Sequence, residues 1–199
     1  EVISINPKII EIPFDTLSTK KVPVNLKSNL DFESGYDALD AATVIPDSVE
    51  IIGAKSDIKN IVSISTEDFT LNSIDKNLDE TIILKKPEKF QDIKLNPDNV
   101  NIRLTVAKFT EGEVEVPIIN KNVPQDIEIN YFPKSIKVAY YVSLENYSAI
   151  STSDFKIECD FKESQQQNSS FFIPRLTIEN SLVKSAKMKQ DKVEYIIIR

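Results

Sequence analysis

Ile64-Ser65-Thr66-Glu67-Asp68-Phe69 returns as Ile150-Ser151-Thr152-Ser153-Asp154-Phe155, 86 residues further on and different only at Glu67/Ser153. Such a repeat marks the chain as two copies of one module and governs how the rest is read. What both copies share is expected to be architecture. Asp68 and Asp154 are accordingly read as fixing a turn or cap before the strands that begin at Phe69 and Phe155. The 199 residues divide into a first domain, 1–107, with 1–21 as its lead-in strand, and a second, 108–199. Each is near the low end of ordinary domain size.

Hydrophobic residues make up 41% of the chain and charged ones 28%, the balance of a folded globular protein. The net charge of −7 opposes a nucleic-acid role, which needs clustered Lys and Arg. Residues 1–107 carry 12 basic and 18 acidic side chains and residues 108–199 carry 12 and 13, so the first copy is the more acidic. There is no histidine, which removes Ser-His and Cys-His nucleophiles and the commonest zinc ligand. The single Cys159 has no partner for an intrachain disulfide. It shares parity with Phe155, Ile157 and Phe161, so a buried, inert thiol is expected.

Alternation with period two dominates: Val22, Val24, Leu26; Val100, Ile102, Leu104, Val106; Val114, Val116, Ile118; Ile136, Val138, Tyr140; Val193, Tyr195, Ile197. These are half-buried strands, and the class is mainly β. Pro46-Asp47-Ser48-Val49, Pro97-Asp98-Asn99-Val100 and Pro133-Lys134-Ser135-Ile136 each bend the chain and launch a strand, because proline presets a turn and its neighbours favour one. In the second copy the late proline is lost, and Gln190 stands three residues before Val193.

One short helix per copy is expected after the early strand, with Asp57 and Ser143 as N-caps and Ile58, Ile61, Leu144 and Tyr147 on the packed faces. The copies differ in the run from the Val-Pro pair to the early proline, Pro23 to Pro46 against Pro117 to Pro133. The extra residues, around Gly35-Tyr36-Asp37-Ala38-Leu39-Asp40, form the most individual loop. Asn6-Pro7-Lys8-Ile9-Ile10-Glu11-Ile12 parallels Asn96-Pro97-Asp98-Asn99-Val100-Asn101-Ile102, and each run leads to a Val-Pro pair. Adjacent copies are therefore expected to share long strands at the junction.

Val22-Pro23-Val24, followed by Pro46-Asp47-Ser48-Val49-Glu50-Ile51-Ile52-Gly53 and then Ile58 and Ile61, resembles the YbbR-like domain. Its pattern is a V-P-V strand, P-x-x-V-x-V-x-G and a short apolar helix. The second copy follows it through Val116-Pro117-Ile118 and Pro133-Lys134-Ser135-Ile136-Lys137-Val138 but places Tyr140 where the glycine falls. Glu111-Gly112-Glu113-Val114-Glu115-Val116-Pro117 looks like the Bacteroidetes form of the family. The resemblance implies two tandem cradle-shaped β domains, similar to the C-terminal domain of a bacterial large-subunit ribosomal protein. It also implies an N-terminal membrane helix absent from this chain and a place on the extracytoplasmic, periplasmic side of the inner membrane. Firmicute relatives regulate a membrane-bound diadenylate cyclase by association, an analogy from another branch.

Candidate sites are few. Asp75-Lys76-Asn77-Leu78-Asp79 opens like a calcium loop, but Glu80 and Lys86 stand where an EF-hand needs Gly and Glu, so a solvated hairpin turn is the better reading. Asp37/Asp40 and Glu67/Asp68 are paired acids of the kind a glycosidase places across a cleft. Gly35, Gly53 and Gly112 are too far apart for a phosphate loop. Asn146-Tyr147-Ser148 and Asn168-Ser169-Ser170 spell glycosylation sequons, and Gln165-Gln166-Gln167-Asn168-Ser169-Ser170 reads as a polar hairpin loop. The expectation is a non-enzymatic module with no cofactor, metal or catalytic residue, which binds another envelope or membrane protein. The alternative is a ligand- or carbohydrate-binding module that stacks substrate on Tyr36, Tyr131, Tyr140, Tyr141 and Tyr147.

Overall fold

A computed structural model describes residues 15–90, 92–167 and 169–198. The lead-in run Asn6–Ile12 lies outside them. In chain order the strands are β1 (Leu17–Asn25), β2 (Ser28–Phe32), β3 (Tyr36–Ala38), β4 (Thr43–Ile45), β5 (Ser48–Ala54), β6 (Ile64–Thr66), β7 (Phe69–Ile74), β8 (Leu78–Lys85), β9 (Lys94–Asn96) and β10 (Asn99–Leu104). They continue as β11 (Val106–Lys121), β12 (Glu128–Phe132), β13 (Ser135–Ser143), β14 (Phe155–Asp160), β15 (Phe171–Phe172), β16 (Arg175–Ile178), β17 (Val183–Met188) and β18 (Val193–Ile198). Helix α1 (Lys55–Ile58) follows β5, and α2 (Phe161–Gln166) follows β14. The protein is mainly β.

The chain forms two compact units. One holds the described residues up to Glu33 and Asp40–Val106, and the other holds Ser34–Leu39 and the described residues from Ala107 onward. The individual loop around Tyr36 therefore belongs to the second unit, where a division at 107/108 had left it in the first. One residue, Thr105, separates β10 from the long strand β11, whose first residue, Val106, is the last of the first unit.

In the first unit one sheet runs β4-β10-β8-β6-β1-β5-β9. Its centre is β1, antiparallel to β5 from Leu17↔Ala54 to Pro23↔Ser48 and parallel to β6 from Val24↔Ile64. Alternation buries Val49 and Ile51 of β5 with Val22, Ile64, Leu84 and Val100. Each such side chain contributes about 1.5–3 kcal/mol when removed from water. Helix α1 is held by Lys20, whose Nζ donates to the carbonyls of Lys59 at 2.9 Å and Ile61 at 2.7 Å, a cation set at the helix's negative end. Asp57 lies inside α1 and not at its cap, which is Ala54.

The second unit repeats that order of neighbours in two pieces, β12-β18-β15 and β16-β14-β11-β13-β17. The register explains the break. With Val100 matched to Val193, Ile82 corresponds to Phe172, Ile83 to Ile173 and Leu84 to Pro174. Leu84 donates its N–H to Asp98 at 2.8 Å, whereas proline has no N–H to give. What β8 does as one strand, pairing with both β10 and β6, is therefore divided between β15 and β16.

The same register sets the repeated hexapeptides out of step. Val24 pairs with Ile64, and its counterpart Ile118 pairs with Ile157 and not with Ile150. The true offset there is 93 residues, so the matching hexapeptides are seven positions out of structural step. In the first copy the hexapeptide forms β6 and the bend before β7; in the second it forms a 3-10 turn, Thr152–Asp154, before β14. One helix per copy also fails for the second unit. It has 3-10 turns at Leu144–Ala149 and Thr152–Asp154 as well as α2, which takes Phe161 from the expected strand and Gln165 and Gln166 from the expected loop. Ser143 precedes the first 3-10 turn but its side chain caps nothing. Spacing also could not show that the bonds before Pro46, Pro97 and Pro133 are all cis.

Tyr140 occupies the place of Gly53, and the pairing shows how. Gly53 faces Ser18 across β5 and β1, while Tyr140 faces Gly112 across β13 and β11. The small residue has changed strands. A Cβ on Gly53 would press on Ile93 and Ile58, and a Cβ on Gly112 would overlap the Tyr140 ring. That ring is 5% exposed and lies against Phe155 at 5.5 Å between centroids. Gly112→Ser is expected to destabilise the protein by about 2 kcal/mol through overpacking. In a Tyr140→Gly background, which restores the Ser–Gly pair of the first unit, the same change is expected to cost under about 0.5 kcal/mol. Urea denaturation of all four proteins measures the coupling, and additive effects would refute it.

Candidate functional site

The residues nominated from the sequence are distributed between the units. Tyr36, Asp37 and Ala38 form β3, which pairs with β11. Gly35 makes this possible with φ +82°, a left-handed conformation suited to glycine, and its carbonyl accepts from the Phe109 N–H at 2.8 Å. Lys184 of β17 closes the loop, with Nζ 2.6 Å from Asp37 Oδ1, 2.6 Å from the Ala38 carbonyl and 4.9 Å from the Phe109 ring centre. Phe109 stacks on Tyr141 at 4.9 Å. Burial, and then the charges of Asp37 and Glu111, push the Tyr141 hydroxyl above its ordinary range.

Beside this cluster lies a shallow cleft of about 300 Å³, lined by Glu111, Ala139, Tyr140, Tyr141, Ser185, Ala186 and Lys187. It brings two of the nominated tyrosines together with one carboxylate. The other rings are engaged elsewhere: Lys108 lies 5.6 Å from the Tyr36 ring centre, Lys134 lies 3.7 Å from that of Tyr131, and Tyr147 stacks on Tyr140.

The calcium-like run is absorbed by the first unit's sheet. Asn77 Oδ1 accepts from the Val106 N–H at 2.8 Å. Asp79 takes Asn101 Nδ2 at 2.6 Å and Arg103 Nε at 3.1 Å, with the Asn101 bond the largest cause of its lowered pKa. The run links β7 to β8, which are not paired with each other, so it is a connection and not a hairpin turn. Among the described residues no three His, Cys, Asp or Glu side chains are grouped to hold a metal ion. Asn146 lies in a 3-10 turn, and Asn168 is outside the described residues.

Asp68 and Asp154 have parted company. Asp154 forms a capping box: its Oδ2 accepts from the Ser151 N–H at 2.7 Å and Oγ at 3.3 Å, and its Oδ1 accepts from Asn180 at 3.1 Å. Asp68 makes no such bond among the described residues. It lines an open hollow of about 480 Å³ with Lys27, Ser28, Asn29 and Thr70, where β1 gives way to β2.

A surface that the sequence reading missed is the outer face of β12-β18-β15. Phe132 is 78% exposed, Ile196 64% and Ile198 43%. Its signal was present in the alternation of Glu194, Ile196 and Ile198 against Val193, Tyr195 and Ile197, once Val193 and Tyr195 are taken as core. The corresponding face of the first unit carries the Asp79–Arg103 pair and Asn101.

Two units that repeat one order of strand neighbours define a modular, all-β protein. Residues 22–106 match the family model described as YbbR-like protein. Among solved structures, a YbbR-like protein from Streptococcus pneumoniae TIGR4 is similar at 13% identity and a TM-score of 0.36, over 94% of this chain and 97% of that one. No curated protein matches the chain.

The Ser151 bonds, then Asn180, hold the Asp154 carboxyl below the usual carboxylate range. A lowered folded pKa favours the charged form, so its stabilisation is complete above the ordinary carboxylate pKa of about 4 and disappears as pH falls through the lowered value. Asp154→Asn is therefore expected to melt lower than wild type at pH 7, with the gap closing on acidification. A pH series of thermal melts checks this, and a constant gap would contradict it.

Cys159 is fully buried in β14, and burial pushes its thiol up to about 11. It is expected to resist a thiol reagent at pH 8 until the second unit unfolds. Modification of the native protein as fast as the urea-unfolded chain would show the thiol to be accessible.

Proposed function

We propose that this chain is the extracytoplasmic part of a membrane-anchored bacterial envelope protein, and that it works by binding another protein rather than by catalysis. In this reading its second unit is a further YbbR-like domain, giving a tandem of the kind seen in Bacteroidetes. The observation that carries the proposal is the repeated strand order bearing unlike surfaces. A repeated order of strands whose exposed faces differ is the arrangement of a chain that uses rigid modules to present contact surfaces. No helix among the described residues is long and apolar enough to cross a membrane, and the proposed tether is an N-terminal helix distinct from them. The partner is an envelope or membrane protein, and a diadenylate cyclase is the analogy that the family offers.

Carbohydrate binding has less support, because the tyrosine cleft offers one carboxylate, Glu111, while Asp37 is occupied by Lys184. The proposal is tested with the anchored full-length protein, affinity-tagged and crosslinked in intact envelopes. A specific envelope protein is expected to be enriched over a tag-only control. Recovery of nothing above that control would overturn the proposal.

A further inference from the structure

We infer that the outer face of β12-β18-β15 is a self-association surface, and that its occupant is a second copy of this chain. The inference stands on this face alone and does not depend on the envelope partner proposed above. Matching the units by register shows what has changed. Ile45 corresponds to Phe132 and Asn101 to Glu194, so Arg103 corresponds to Ile196; Thr81, opposite Asn101, corresponds to Phe171, opposite Glu194. Arg and Thr have been replaced by Ile and Phe, on a face that already exposes Ile173 at 54%. A hollow of about 180 Å³ opens there between Asn130, Phe132, Glu194 and Ile196. Contiguous apolar surface of this kind marks a contact site.

Charge selects the occupant. The chain is −7 overall, yet this face carries Glu128 and Glu194 on its strands with Lys134 and Lys192 at its margins, two charges of each sign. Within the described residues none of the four belongs to an ion pair, whereas Lys137, Lys156, Lys184 and Arg175 of the same unit are all paired. The two lysines rest on rings instead, Lys134 at 3.7 Å from the centre of Tyr131 and Lys192 at 4.7 Å from that of Phe171. Lys134 also donates to Asn130. An apolar centre with unpaired charges of both signs is self-complementary: Glu128 lies at one end of the face and Lys134 and Lys192 at the other, so a two-fold axis through Ile196 and across the strands brings Glu128 of one copy to the lysine end of its partner.

Sedimentation of the whole chain from about 1 to about 200 μM is expected to show a mass rising from monomer toward dimer. Ile196→Arg, which installs the residue that the first unit carries at that register, is expected to weaken the dimer by at least about tenfold while leaving circular dichroism and melting unchanged. Because Cys159 is fully buried, Asn130→Cys is expected to give a disulfide-linked dimer on oxidation. Cysteine at Thr43, the corresponding position in the first unit, is expected to leave the chain monomeric. A monomeric mass across the whole range, even if an envelope protein binds this face, would overturn the inference. So would a dimer indifferent to both Ile196→Arg and Phe132→Glu.

Discussion

Each unit depends on one strand that changes partners at a proline. β1 is paired antiparallel with β5 up to Pro23↔Ser48 and parallel with β6 from Val24↔Ile64. β11 does the same, up to Pro117↔Ser135 and then from Ile118↔Ile157. Proline within a central strand ordinarily costs a ladder hydrogen bond. At the handover, however, the antiparallel ladder is ending and the parallel one has not begun, so the missing donor falls where its cost is least. The next residue resumes bonding at once, with the Val24 N–H donating to Asp47 at 2.8 Å and the Ile118 N–H to Lys134 at 3.0 Å. Both acceptors lie in the proline-led bends before β5 and β13, so the two proline motifs of each unit are parts of one joint.

Because that joint fixes the middle of the sheet, substitutions farther out can be absorbed without changing the order of strands. The Gly53–Ser18 pair becomes Tyr140–Gly112, which keeps one side small while moving an aromatic ring into the core. Leu84 becomes Pro174 and splits a strand, yet both halves keep their neighbours. Where β7 pairs with β2 in the first unit, the second turns into α2, capped by Asp160 accepting from the Lys162 and Glu163 N–H groups. The hydroxyl of Ser164 in that helix lies within hydrogen-bond distance of the Phe171 carbonyl, at 3.0 Å, and of the Tyr195 hydroxyl, at 2.9 Å, tying it to the small sheet.

What could be read from the residues was whatever alternation and proline chemistry impose locally. The strands through Val22, Val100, Val116, Ile136 and Val193 were legible because burial on one face of a strand writes period two into the sequence. The hexapeptide misled because letters repeat without regard to register, and the four-residue helix α1 and its 3-10 counterpart differ in length and cap. Strand pairing, not similarity of letters, shows that Thr66, which accepts from the Lys27 N–H, stands where Cys159 does. The placement of β3 was illegible for another reason. Its attachment rests on Lys184, 147 residues from Asp37, and no local pattern reports a contact of that range.

The candidate surface followed the same logic in reverse. Phe132, Ile196 and Ile198 look like core residues in a sequence, since nothing in the alternation says which face of a strand meets water. The decision comes from the opposite face: Val193 and Tyr195 are buried with Phe172, Cys159 and Phe161, leaving the alternate positions outside. In the first unit β10 carries Asn101 and Arg103 at the registers of Glu194 and Ile196, both bonded to Asp79 of β8, while Ile45 and Ile83 are exposed at the registers of Phe132 and Ile173. Isoleucine at 196 and phenylalanine at 171 are therefore not demanded by the fold, because the sister unit maintains the same order of strands with Arg103 and Thr81 at those registers. A feature that the fold does not require, placed on a frame that the first unit builds without it, points to contact with something outside the unit.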